Sequence, residues 1–259
     1  MKNIRNQFKI NSLTYWLIFI SLLSGLFKNI ILIILIVVVH EFGHVFMVKL
    51  LGYETLEIQI YPFGGITKIK KDLNSPINHD LIIASGGFIF QIILSIIFIV
   101  LLNLNFITDK TFNIFKTYNF SILFFNLLPI MPLDGYVIIK SLLEKILSIK
   151  WAHYITVSLS VIFILLYLQY NYIYSLNNYM ITFFLFYKTY VSIKNYNYIY
   201  NRFLLERYLK KYNYKKIRYL NNNNCNYFHR ETFHIFKTKK EYIGEDRVLR
   251  EKFDKIPRF

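Results

Sequence analysis

The stretch IILIILIVVVHEFGH, residues 30–44, decides how this chain is interpreted. An unbroken apolar run leads into two histidines four positions apart, with a glutamate beside the first. On an α-helix, positions i and i+4 lie on one face, so both imidazoles can hold the same metal ion. The H-E-x-x-H pattern is typical of zinc sites in which the glutamate is the general base. The sequence therefore predicts that His40 and His44 bind zinc and that Glu41 is catalytic.

The surroundings of this motif predict that it lies within a membrane. The chain has 259 residues, 55% of them hydrophobic, and apolar segments of nearly bilayer length follow one another from residue 13 to residue 193. A charged residue at the centre of such a helix costs about 2.5–3.5 kcal/mol on insertion scales, so ionisable groups there indicate a functional site. The competing interpretation places the histidines at a helix end, where they meet headgroups or water.

Six membrane spans are predicted. They cover residues 13–27, 29–50, 81–102, 120–143, 151–170 and 179–193, with a polar stretch from residue 103 to residue 119 between the third and the fourth. Lysine and arginine concentrate before the first span, after the even-numbered spans and in the C-terminal tail, which predicts that both termini are cytoplasmic. We expect an all-α polytopic membrane protein, with residues 1–195 as the membrane domain and residues 196–259 as a short basic tail.

The loop at residues 52–78 departs from this helical pattern. Apolar residues alternate at Leu56, Ile58 and Ile60, and the turn sequence PFGG follows at residues 62–65. This pattern predicts a small hairpin or re-entrant loop at the cytoplasmic interface. Its turn is a candidate for contact with an extended substrate by strand addition, through Phe63, Gly64 and Gly65.

A third zinc ligand is expected from the fourth span. Catalytic zinc normally has three protein ligands. Asp134 lies in the segment NLLPIMPLDG, residues 126–135, where two prolines break helical hydrogen bonding. Broken backbone at membrane depth is tolerated where it is buried in protein or lines a wet cavity. The alternative is an aspartate that only caps a kinked helix.

Other polar and small residues are expected near this site. Gln91 and Asn126 are predicted to support it. Ser85-Gly86-Gly87 opens the third span, and small residues there predict close packing between helices.

Charge and cysteine content limit the partners and the ligands. The formal net charge is +16. Because the basic residues cluster at the chain ends around the spans, anionic lipid at the tail is favoured over nucleic acid as the partner. The single cysteine, Cys225, excludes an intrachain disulfide and a thiolate zinc cluster. The tail is either a small subdomain, with helices at 202–211 and 244–253 and a strand at 232–236, or a loosely ordered surface-binding segment.

These motifs resemble those of the site-2 protease family of intramembrane metalloproteases, peptidase family M50. HEFGH at residues 40–44 matches its first motif and LDG at 133–135 its second. The PFGG and ASGG segments and the six predicted spans are similar to those of its sporulation members. The resemblance implies one zinc ion per chain. It also implies cleavage of a membrane-associated precursor of the transcription factor sigma-K, in the mother-cell membrane around the forespore, and control by inhibitory membrane proteins. We also expect homo-oligomers.

The chain departs from this family in two places. The family often has asparagine where Gln91 falls, and the longer side chain of glutamine changes its reach. The sporulation members also carry a C-terminal CBS domain that responds to nucleotide, for which this tail is short, so a reduced CBS-like subdomain is expected.

Two other functions remain open on the sequence. One is a non-catalytic membrane adaptor, against which the intact Glu41 argues, because a binding protein needs no base there. The other is a zinc transporter. The outer halves of the second and fourth predicted spans offer almost no polar residues for a path across the bilayer, which argues against transport.

Overall fold

The computed structural model describes residues 8–10, 15, 27–61, 64–170, 176–214, 216–221, 225–237 and 241–254. The chain forms two compact units, one comprising Met1–Lys71 with Leu81–Leu128 and the other Asp72–Asp80 with Pro129–Phe259. The fold is mostly helical, with two three-stranded sheets. Most of the predicted first span lies outside the described residues.

The first unit is built around three helices: α1 (Phe27–Leu50), α2 (Ile77–Asn103), whose first turn belongs to the other unit, and α3 (Asp109–Leu127). The 24 residues of α1 correspond to about 36 Å of helix, enough to cross a hydrocarbon core about 30 Å thick. Isoleucine and valine dominate α1 although they are modest helix formers. In lipid a helix satisfies its own backbone polar groups, and this requirement outweighs the weak propensity.

An apolar core holds α1, α2 and α3 together. Its buried members are Leu32 and Ile36 from α1, Leu94 and Phe98 from α2, and Phe115 from α3. The rings of Phe98 and Phe115 are stacked with centroids 3.7 Å apart. The core therefore packs α3 against the two helices that carry the predicted histidines and Gln91.

The predicted hairpin is confirmed between α1 and α2. Strands β2 (Glu54–Tyr61) and β3 (Gly64–Lys70) pair antiparallel, with a register shift between Thr55 and Glu57. The short strand β1 (Phe8–Ile10) pairs parallel with β2, giving the order β1-β2-β3. In this described sheet β2 is central and β3 is an edge strand.

The predicted polar stretch at 103–119 contains the start of a helix, because α3 begins at Asp109. Thr108 caps the helix, its hydroxyl accepting a hydrogen bond from the Thr111 amide. Asp109 adds a negative charge in the first turn, where the helix dipole favours one. The charges of this segment masked its helical pattern, in which Phe115 and Asn119 are buried.

The predicted fourth span at 120–143 is two helices rather than one. α3 ends at Leu127, and α4 (Asp134–Glu144) begins after the proline-containing segment. Pro129 and Pro132 lack the amide hydrogens that a continuous helix would use, which explains the break.

The second unit contains α4, α5 (Ile149–Tyr170), α6 (Leu176–Leu209), β4 (Lys216–Leu220), β5 (Thr232–Lys237), β6 (Tyr242–Gly244) and α7 (Glu245–Phe253). β4 pairs parallel with β5, and β5 antiparallel with β6. The 34 residues of α6 run past residue 195, where the tail is predicted to begin. Buried side chains from α6, β5 and α7, among them Leu204, Phe236 and Leu249, share one apolar core.

Among the described residues, three helices are long and apolar enough to cross a membrane: Phe27–Leu50, Ile77–Asn103 and Ile149–Gln169. Large apolar side chains on their outer surfaces are exposed, as lipid contact requires; Ile31, Ile96 and Leu165 are more than half exposed. The count of six spans stays a prediction.

Candidate active site

The three residues of the H-E-x-x-H motif lie together on α1. His40, Glu41 and His44 are all buried, at 4%, 7% and 7% exposure, although most of α1 is apolar. Each offers one ligand atom, and these atoms lie within 4.8 Å of one another. Among the described residues this is the only group of three or more histidine, cysteine, aspartate or glutamate side chains with such spacing.

Hydrogen bonds orient both imidazole rings through their Nδ1 atoms. His44 Nδ1 lies 2.8 Å from the backbone oxygen of Ile83, and His40 Nδ1 lies 3.1 Å from Gln91 Oε1. Both partners come from α2, and both are oxygen acceptors, so each Nδ1 is the protonated, donating nitrogen. In a neutral imidazole the other nitrogen then keeps its lone pair. Metal-binding histidines use this arrangement, in which an acceptor fixes the tautomer.

The two Nε2 atoms face each other at a separation that fits zinc. They are 3.1 Å apart. Tetrahedral zinc with Zn–N bonds of 2.0–2.1 Å places two ligand nitrogens about 3.3 Å from each other. Two lone pairs at this distance repel, and a cation between them removes the repulsion. The two buried imidazole nitrogens are therefore placed to bind one zinc ion, with the Glu41 carboxylate beside them.

Two glycines of α2 give the motif its room. A Cβ built on Gly86 would lie 2.6 Å from the backbone oxygen of Gly43, so these helices touch backbone to backbone. A Cβ on Gly87 would lie 2.6 Å from both ring nitrogens of His40. The prediction of close packing at Ser85-Gly86-Gly87 is confirmed, and Gly87 has the additional effect of admitting the His40 ring.

Gln91 is fully buried and belongs to a longer polar chain. Its Nε2 donates to Asn119 Oδ1 at 3.2 Å, and Asn119 Nδ2 donates to Ser95 Oγ at 2.8 Å. Sequence reasoning missed Asn119 and Ser95, because Asn119 falls at the end of the predicted polar stretch between two spans. The signal available was the helical spacing of Phe112, Phe115 and Asn119, which lie on one side of α3.

Asp134 and Asn126 lie on either side of the break between α3 and α4. Asp134 is the first residue of α4 and half-buried, and the N-cap position is taken by Leu133. Asp134 therefore stands just inside the helix rather than capping it. Asn126 is half-buried in the last turn of α3. Their roles at the site stay predictions.

The predicted substrate-contacting turn is described in part. Gly64 and Gly65 begin β3, where they pair with Tyr61 and Ile60 of β2. Phe63 lies outside the described residues. In the described sheet β3 is an edge strand, which is the position at which a peptide strand can add.

Comparisons with known proteins agree on one family. The sequence model of Peptidase family M50 matches residues 28–109 and 104–168, together more than half of the chain. Stage IV sporulation protein FB of Bacillus subtilis is 32% identical over 195 residues, which cover 74% of this chain and 68% of that protein. A zinc metalloprotease of Methanocaldococcus jannaschii is 29% identical over 118 residues, 44% of this chain and 34% of that protein.

A solved structure shares the fold. The site-2 protease from Methanocaldococcus jannaschii superposes with a TM-score of 0.55 at 20% identity, covering 70% of this chain and 88% of that one. The matched family region contains the histidine motif, Gln91 and Asp134.

Proposed function

The chain belongs to peptidase family M50, and we propose that it is an intramembrane zinc endopeptidase that cleaves a membrane-associated protein. The observation that carries this proposal is the orientation of His40 and His44. Each Nδ1 faces an oxygen acceptor, while the two Nε2 atoms face each other 3.1 Å apart in a buried site. This arrangement serves metal binding, and a merely structural pair of histidines has no need of it.

Three residues would hold the metal. His40 and His44 contribute Nε2, and Asp134 is proposed as the third ligand, on the strength of its motif and its place at the start of α4 after the broken segment. Two imidazoles and one carboxylate form a donor set that zinc accepts, leaving a further position for chemistry. One zinc ion per chain follows from this set.

Glu41 is the proposed general base. A zinc ion bound there would act as a Lewis acid, lowering the pKa of water to about 7 and polarising a peptide carbonyl. Glu41 takes the proton from the attacking water and delivers it to the departing amine. Its burial beside the two histidines keeps its carboxylate close to the reacting atoms and away from bulk solvent.

The substrate is proposed to reach the site in extended form beside β3. In the described sheet the edge of β2 is paired with β1, which leaves β3 with an edge to which a peptide strand can add. We expect Gly64→Pro to reduce cleavage, because proline removes a backbone donor. Unchanged cleavage by Gly64→Pro would rule out strand addition at this turn.

The similarity to stage IV sporulation protein FB supports a narrower proposal for the substrate, a membrane-associated sigma-K precursor processed during sporulation. The same similarity supports placement in the mother-cell membrane around the forespore, with inhibitory membrane proteins as regulators. We also propose a homo-oligomeric assembly. From the distribution of lysine and arginine we propose cytoplasmic termini and a tail near anionic lipid.

Co-expression tests this function directly. The chain and a candidate sigma-K precursor are produced together, and precursor size is followed on a gel for wild type and Glu41→Gln at equal protein levels. Cleavage by wild type alone is expected. Cleavage by both would assign the activity to another protease. Cleavage by neither, with a range of membrane-associated precursors, would favour a non-catalytic adaptor.

A further inference from the structure

A small closed circuit of hydrogen bonds lies behind the His40 ring. Gln91 on α2 links His40 to Asn119 on α3, and Asn119 links back to Ser95, one turn after Gln91. The Ser95 hydroxyl donates to the backbone oxygen of Gln91 at 2.9 Å. Gln91 is fully buried and Asn119 is 6% exposed, so these four side chains satisfy one another within the helices.

The direction of every hydrogen bond in this circuit is determined at one end. A backbone carbonyl can only accept, so the Ser95 hydroxyl must donate its hydrogen to Gln91 O. Ser95 Oγ is then the acceptor for the Asn119 amide NH₂. This turns Asn119 Oδ1 toward Gln91, which meets it with its own NH₂ group.

The orientation of the Gln91 amide in turn determines the tautomer of His40. With its NH₂ engaged by Asn119, Gln91 presents Oε1 to His40. That oxygen can only accept, so His40 Nδ1 carries the hydrogen and Nε2 keeps the lone pair. A reversed Gln91 amide would present NH₂ to Nδ1 and favour the opposite tautomer, in which Nε2 carries the hydrogen and cannot bind a metal.

We propose that Asn119 is a positioning residue that, through Gln91, fixes the His40 tautomer with Nε2 available to zinc. This inference rests on the proposed zinc function of His40. Helix α3 carries none of the proposed zinc ligands, and this inference gives it a role in the site through Asn119. Ser95 sets the direction of the circuit, and Asn119 transmits it between two helices.

The test measures zinc affinity of the full purified chain by competition with a chromophoric chelator. Asn119→Leu leaves the Gln91 amide without its fixed partner, and loss of such an outer partner typically weakens metal binding by about 10–100-fold. Asn113→Leu on the same helix is the matched control, because Asn113 is exposed, and wild-type affinity is expected. Thermal unfolding of each variant, measured alongside, shows that it is folded.

One further substitution separates tautomer control from packing. Gln91→Glu supplies a carboxylate that accepts from His40 whatever residue 119 is. The double variant Gln91→Glu/Asn119→Leu should therefore regain most of the affinity lost in Asn119→Leu, although its packing defect is the same.

The outcomes distinguish this inference from the function on which it rests. Wild-type affinity in Asn119→Leu, or no recovery in the double variant, overturns the role of Asn119 and leaves the zinc site standing. Failure of the wild-type chain to bind zinc overturns the proposed function, and this inference with it. Loss in Asn119→Leu with recovery by Gln91→Glu supports the circuit.

Discussion

At the scale of single residues, His40 depends on neighbours that give it space. Gly87 lies against its ring so closely that a Cβ would stand 2.6 Å from both ring nitrogens. A methyl group there must move the ring or the helix. Residue 87 must therefore be small because of the neighbouring His40 ring, and not because of its backbone conformation.

Gly87→Ala tests this constraint. We expect zinc affinity and cleavage to fall by at least about tenfold, because the added methyl group must displace the His40 ring. A tenfold loss corresponds to about 1.4 kcal/mol. Gly244→Ala is the matched control, since the nearest atom to its added Cβ is 3.6 Å away, an ordinary contact. Equal cleavage and zinc binding in both variants would show that the His40 ring tolerates the methyl group.

At the scale of elements, α1 and α2 cross at a glycine contact. A Cβ on Gly86 would lie 2.6 Å from Gly43 O and 2.8 Å from Met47 Cγ. Small residues that admit such backbone approach are a common basis of helix packing in membranes. The same contact places Ile83 O and Gln91 where the two histidines meet them.

Gly86→Ala should destabilise the helix pair by about 1–3 kcal/mol, the usual cost of overpacking. The measurement is thermal unfolding of the purified chain in detergent. Ser85→Ala, at the neighbouring half-buried position, is the control and should have a much smaller effect. If Gly86→Ala unfolded like Ser85→Ala, the close helix contact would be wrong.

The sequence predicts correctly those elements whose pattern lies within a short stretch of neighbouring residues. The H-E-x-x-H helix, the alternating hairpin and the acidic start of α7 each carry their signal within a few residues. The start of α3 at Asp109 was missed, because charged residues diluted its apolar pattern. Asn119 and Ser95 were missed for a different reason: they meet through pairing between helices, which one sequence does not encode locally.

At the scale of the whole molecule, the basic tail proves to contain buried arginines in its own unit. Arg230 bonds to Glu144 at the end of α4 and to Asp80 in the first turn of α2, at 2.9 and 2.5 Å. Arg207 on α6 bonds to Glu245 on α7 at 3.0 Å. A count of charges assigns such residues to a solvated surface, whereas here they join distant segments within the second unit.

Arg230→Met should cost about 3–5 kcal/mol of stability, because it removes the buried arginine that pairs with the buried carboxylate of Glu144. Arg247 is the control, since its side chain is 61% exposed and its ion pairs with Glu241 and Glu251 lie at the surface. Arg247→Met should cost less than about 1 kcal/mol. Unfolding by heat or denaturant compares the two, and equal losses would contradict a buried Arg230 network.

The tail sheet should also lose stability in acid. Burial first, and then the charge of Arg218, lower the pKa of His229 to about 4, and burial lowers the pKa of His234 as well, despite its hydrogen bond to Glu245. The unfolded chain therefore binds more protons than the folded one between about pH 6.5 and pH 4, and stability falls as the pH falls through that window.

Hydrogen exchange of β5 and α7 amides, corrected for intrinsic rates, measures this loss between pH 7 and pH 5. His229→Gln should reduce the pH dependence, because it removes one of the two tail histidines whose pKa is lowered in the folded state. An unchanged dependence in His229→Gln would assign the effect to other groups.

The proposed function requires that His40 and His44 hold zinc beside the base supplied by Glu41. Zinc content of the purified chain, measured by mass spectrometry of the metal after removal of loosely bound ions, tests it most directly. We predict one zinc ion per chain in wild type and in Glu41→Gln, and almost none in His44→Ala. Wild-type zinc content in His44→Ala, or no zinc in the wild-type chain supplied with zinc, would overturn the proposed zinc site.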